Sequence, residues 1–120
     1  MRVFFLPVVL LMVSSMIRAE DWPQFRGPSG EGHSQAKSVP TEWSASKNIV
    51  WKQTIPGSGW SSPVVVGNTI YMTTAEIKMP SKTLSLRTLS LDADNGKLNW
   101  DVKVFSKDAD KAPRIHRKNS

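Results

Sequence analysis

Cysteine is absent from the sequence, which excludes disulfides, thiolate zinc sites, a cysteine nucleophile and the acylated cysteine of a lipoprotein. Histidine is nearly as scarce. His33 and His116 lie far apart, neither has an acidic neighbour at metal-ligand or catalytic-triad spacing, and both read as loop residues. No segment carries the period of an amphipathic helix, and no apolar run approaches the ~20 residues a helix needs to cross a bilayer. Charge of one sign is also limited: 16 basic against 10 acidic residues leave +6, with the acids interspersed among the bases. That mild excess reads as a solvated surface, and nucleic acid is not an expected partner.

The chain opens with a short, unusual segment. Met1-Arg2 is followed by an apolar run from Val3 to Val13, interrupted by Pro7, and then by the small residues Ser14 and Ser15 and by Ala19. A basic start, an apolar core of roughly 11 residues and a small-residue end form the pattern of a cleavable secretory signal. Residues 1–19 are therefore expected to direct export and to be removed, leaving a periplasmic or secreted product with no transmembrane segment.

Residues 20–47 are rich in Gly, Pro, Ser and isolated charges, without any sustained period, and read as ordered coil. Within them, Asp21-Trp22-Pro23-Gln24-Phe25-Arg26-Gly27-Pro28 places two large rings among turn residues. Such rings are expected to fold back on a core and bury their apolar area.

From residue 48 the texture changes to short β-rich runs separated by turn signals. The first run, residues 49–55, stops at Pro56-Gly57-Ser58-Gly59. Pro63-Val64-Val65-Val66 reads as a short strand covered on both faces, and Gly67-Asn68 as the hairpin turn into Thr69-Ile70-Tyr71-Met72-Thr73-Thr74. After a polar connection comes Leu84-Ser85-Leu86-Arg87-Thr88-Leu89-Ser90-Leu91. Its leucines at 84 and 86 point to one face and those at 89 and 91 to the other, so either a bulge intervenes or both faces are buried. Asp92-Ala93-Asp94-Asn95-Gly96 then reads as a turn in which Asn95-Gly96 supplies positive φ angles, and residues 97–104 return as a fourth strand.

The run at 49–55 resembles that fourth strand. Ile49-Val50-Trp51-Lys52 matches Leu98-Asn99-Trp100-Asp101, a spacing of about 49 residues between the tryptophans, which is the period of a propeller blade. Four-stranded antiparallel units repeated at that period build radial propellers. The fold class expected is all-β, a β-propeller of which this chain holds about one blade, residues 63–104, and one further strand.

The same residues carry a resemblance to a family. Ser62-Pro63-Val64-Val65-Val66-Gly67-Asn68-Thr69-Ile70-Tyr71, followed by Leu89-Ser90-Leu91-Asp92-Ala93-Asp94-Asn95-Gly96-Lys97-Leu98-Asn99-Trp100, resembles one PQQ-like repeat, of the quinoprotein alcohol dehydrogenase-like superfamily. Trp51, Pro63, Gly67, Tyr71, Leu91, Asp92, Gly96 and Trp100 match its pattern, whereas Asn95 replaces the usual threonine. The resemblance implies that Trp51 and Trp100 are docking tryptophans, each wedged against an adjacent blade, and that Gly96 permits the hairpin before Trp100. It implies further that residues 49–55 close the last blade of a larger propeller, so that the chain is the opening part of one. The motif Trp22-Pro23-Gln24-Phe25-Arg26-Gly27-Pro28 also resembles the start of secreted members from envelope-rich bacteria.

Few residues suggest chemistry. Asp92, Asp94 and Asn95 resemble a calcium loop only superficially, because Gly96 arrives one position early and Lys103 stands where a bidentate glutamate belongs. Ser58, Ser61 and Ser62 lie near glycines but form no nucleophile elbow. Lys111, Arg114, Arg117 and Lys118 make a basic tail interrupted by acids, read as a solvated loop. The function expected is a non-catalytic binding or scaffold propeller of the bacterial cell envelope, with an envelope protein or glycan as partner. The alternatives are the first part of a PQQ-dependent, calcium-containing alcohol or sugar dehydrogenase and a sensor or accessory domain of a larger enzyme; this stretch itself shows no catalytic, cofactor or metal ligand.

Overall fold

The structure is a computed structural model and describes residues 20–59 and 61–112. The expected signal segment, His116 and most of the basic tail lie outside the described residues.

The chain forms one open, four-stranded antiparallel sheet in the order of its sequence, β1 (Val64–Val66), β2 (Thr69–Lys78), β3 (Thr83–Asp92) and β4 (Leu98–Asp108), followed by a turn of 3-10 helix at Ala109–Lys111. No described helix is long and apolar enough to cross a membrane. The β1–β2 turn needs Gly67, whose φ of 58° lies in the left-handed region. In the β3–β4 turn only Gly96 takes such an angle, at φ 72°, which corrects the expectation for Asn95. Asn95 serves the turn through its side chain instead: Oδ1 accepts from the Lys97 amide at 2.8 Å.

β2 and β3 run longer than the sequence suggests. Glu76, Ile77 and Lys78 continue the β2 ladder because Ser85, Leu84 and Thr83 lie opposite to bond them. Residues 49–55, in contrast, form no strand: no neighbouring backbone among the described residues runs beside them to accept a ladder.

Register assigns the faces, since residues directly opposite share one. Ile70, Met72 and Thr74 on β2 lie with Leu91, Leu89 and Arg87 on β3, forming the first face. Here the core is densest, with Leu89 fully buried and Leu91 2% exposed. Segment 51–57 lies over this face, where the buried Thr74 hydroxyl donates to the Pro56 carbonyl at 2.7 Å. Farther along the same face, Arg87 donates through Nε to Asp101 of β4 at 2.8 Å and lies 3.8 Å from Glu76 of β2. The bond to Asp101 raises the Arg87 pKa above its ordinary value, so the guanidinium stays charged and ties three strands together.

The second face carries Tyr71, Ile77, Leu84, Leu86, Trp100, Val102 and Phe105, with Lys107 its charge near one end. It is open: Ile77, Leu86, Trp100, Val102 and Phe105 are all exposed. Tyr71, Ser90 and Trp100 form one row across three strands, and the two rings, 6.0 Å apart, lean over Ser90 and bury it.

The leucine pattern of β3 is thus resolved in both ways at once. Leu89, Ser90 and Leu91 are buried on both faces, and the register also shifts twice. The shifts fall on β4, where Asn99 and Val104 have no opposite residue, so the ladder of β3 to β2 stays regular. Bulges and the lysines at 103 and 107 make β4 a poor template for further pairing along that edge. Val66, expected to be covered on both sides, is 47% exposed because it lies on the open face.

Candidate functional site

The pattern residues gather at one end of the sheet, around the turn joining β3 to β4. Asp92 organises that turn: its carboxylate accepts from the amides of Asp94 at 2.9 Å and Asn95 at 3.2 Å, and its carbonyl accepts from Gly96 N at 2.9 Å. Asn68, from the β1–β2 turn, donates to Asp94 at 2.9 Å and to Asp92 at 3.4 Å, and its carbonyl accepts from Ala93 N. Two turns are therefore knitted into one cap by the side chains of Asn68, Asp92 and Asp94.

Trp51 closes this cap. Its indole Nε1 donates to the Ala93 carbonyl at 2.9 Å. Its ring lies against Gly96, where an added Cβ would stand 2.8 Å from Cδ2 and Cζ3 and closer still to Cε3. Gly96 is consequently required twice, for its positive φ and for the close approach of the ring. Trp51 is half-buried and Gly96 buried, so this contact joins a coil segment to the sheet across a sequence gap that no local signal spans.

Trp100, the tryptophan that the sequence pairs with Trp51, is 41% exposed on the open face, with Tyr71 as its aromatic neighbour. The structure thus separates the two tryptophans that the sequence pairs: one is seated on a glycine turn, the other faces outward. Leu91 lies in the core, Tyr71 is half-buried, and Pro63 precedes β1 at the surface.

The aromatic motif near the start divides in the same way. Trp22 pairs its backbone with Val65, N–H to carbonyl in both directions at 2.8 and 2.9 Å, and so covers the free edge of β1. Its ring packs on Gly27, whose φ of 75° and lack of a side chain make room. Asp21 accepts from Gly67 N at 2.7 Å, fixing the segment to the β1–β2 turn. Phe25 departs from expectation. It is 68% exposed, with the Arg26 guanidinium 5.5 Å from its ring centre, because the tight turn closed by Gly27 N on the Gln24 carbonyl faces it away from the sheet.

Ser58 exchanges backbone hydrogen bonds with Ala75 at 2.8 Å, and Ser61 Oγ accepts from Thr73 N at 3.0 Å, extending the line of β1 along β2. Among the described residues no three His, Asp or Glu side chains converge to hold a metal ion. No protein-family model, curated protein or solved structure matches the chain.

Proposed function

We propose that this chain supplies the first blade of an exported PQQ-like β-propeller whose role is binding or scaffolding in the bacterial cell envelope, without catalysis by these residues. The observation that supports this reading is Trp51 seated on the turn at 93–96, together with Trp100 exposed at the matching place one repeat on. A propeller grows by setting each sheet against the next, which requires both faces of a blade to be covered. Here the segment carrying Trp51 covers one face. The other, apolar across β2, β3 and β4, suits a second sheet of the same kind, whose own glycine turn would take Trp100 as this one takes Trp51.

Export rests on the signal-like character of residues 1–19. Outside the cytoplasm the partner is an envelope protein or glycan, met at the loops of the assembled propeller. The quinoprotein reading asks for groups that hold PQQ and calcium, and the acids at the candidate site and beside Arg87 are already engaged within the sheet. The carboxylates of Asp92 and Asp94 are turned onto Asn68 and the amides of their own turn, and Glu76 and Asp101 onto Arg87.

The test is to incubate the complete propeller to which this blade would belong with PQQ and calcium, pass it through a desalting column, and record quinone absorbance and dye-linked oxidation of primary alcohols. No retained absorbance and no turnover are expected. Stoichiometric quinone with turnover would replace the scaffold reading with the dehydrogenase.

A further inference from the structure

We propose that Asn95-Gly96 is a site of spontaneous covalent modification, deamidation, which docking of Trp51 holds in check. This inference does not depend on the propeller reading. Asn95-Gly96 is the single Asn-Gly pair in the sequence. Glycine has no Cβ to keep its amide nitrogen away from the preceding side chain, so this dipeptide is the most reactive context for asparagine in an open chain.

The step is intramolecular. Gly96 N, having lost its proton to base, attacks Cγ of Asn95; the new C–N bond forms, the bond from Cγ to Nδ2 breaks, and Nδ2 leaves as ammonia with a proton taken back from the base, producing a five-membered succinimide. Water then opens either carbonyl, giving aspartate or its β-linked isomer at position 95. No oxidant or reductant takes part.

In the folded chain both reacting groups are engaged. Gly96 N donates to the Asp92 carbonyl at 2.9 Å, and Asn95 Oδ1 accepts from Lys97 N at 2.8 Å. The Trp51 ring pressed on Gly96 holds this arrangement shut, although the Asn95 side chain itself is exposed to water. Opening the turn needs Trp51 to leave. The β-linked product adds a backbone carbon to the turn, and Gly96 no longer meets the ring at its former position. The β-linked product and docking therefore exclude each other, and each opening of the turn carries a chance of permanent release.

The experiment incubates the full chain at mildly alkaline pH, folded and in urea, and follows position 95 by peptide mapping with isoaspartyl-specific enzymatic labelling. Modification in the folded chain is expected to be slower by about tenfold or more, the protection given by a local opening equilibrium. Trp51→Ala should move the rate towards that in urea while circular dichroism still reports strand. Trp51→Phe, which keeps a ring but loses the bond to Ala93, should fall between and serves if Trp51→Ala does not fold. Equal rates in folded and unfolded wild type, or a folded Trp51 variant that reacts no faster than wild type, would overturn the proposal.

Discussion

Gly96→Ala is expected to lower the stability of the chain by about 2–4 kcal/mol. Two separate effects combine. An alanine held at the φ of 72° found for Gly96 carries the steric penalty of the left-handed region, about 1–2 kcal/mol. Its methyl group would also overlap the Trp51 ring, so the indole must move and give up its half-buried surface and the bond to Ala93, together worth about 1–2 kcal/mol. Gly67→Ala separates the two. Gly67 has a φ of 58°, yet nothing lies within 4 Å of an added Cβ, so that variant bears the backbone term alone. Urea unfolding followed by tryptophan fluorescence measures both. If the two variants lose the same stability, the contact of Trp51 with the turn contributes nothing.

Leu89→Ala is the second large effect. Leu89 is fully buried on the face beneath segment 51–57, and among the described hydrophobic residues only Leu91 is comparably buried. Removing a buried leucine side chain costs about 2–5 kcal/mol, from lost transfer energy and the cavity left behind. With a urea slope of about 1–3 kcal/mol per molar for a small domain, the unfolding midpoint should fall by about 1–2 M. Leu86→Ala provides the contrast on the same strand: Leu86 is 43% exposed on the opposite face, and less than about 1 kcal/mol should be lost. A reversed order would mean that the faces of β3 are assigned the wrong way round.

Much of this sheet is legible in the sequence. Gly67-Asn68 and the turn ending at Gly96 fixed two hairpins, because a positive φ at glycine leaves the chain few other conformations there. The alternation within each run then placed side chains on faces. Strand length was less legible, since Glu76 and Lys78 are weak strand formers held in β2 by the residues opposite them. Residues 49–55 read as a strand because their composition matches β4, but a strand exists only where another backbone lies beside it. At the candidate site, the tryptophan period pointed to Trp51 and the turn signal to Gly96, without revealing that they touch. That contact depends on a ring reaching a distant carbonyl, and no local pattern encodes such a distance. Phe25 and Trp22 look alike in sequence and differ in burial because only Trp22 has a sheet edge and a glycine to lie against.

The open face links fold and function. A face bearing Ile77, Leu86, Trp100, Val102 and Phe105 exposed together is unusual for a lone soluble sheet and usual for one that meets another. The opposite face, with Arg87 fixed between Glu76 and Asp101, is already ordered by its own charges and by the Trp51 segment. In a repeat array, stability grows by the interface each unit forms with its neighbour.

The measurement that tests this most directly adds that neighbour. A second copy of residues 60–120 joined after Asp108 preserves the period of about 49 residues and places a new glycine turn where Trp100 can reach it. The account predicts slower acrylamide quenching of Trp100 than in the single unit and a higher urea midpoint, the gain in midpoint being lost in Trp100→Ala. An unchanged midpoint with Trp100 as accessible as before would contradict the reading of this sheet as a propeller blade.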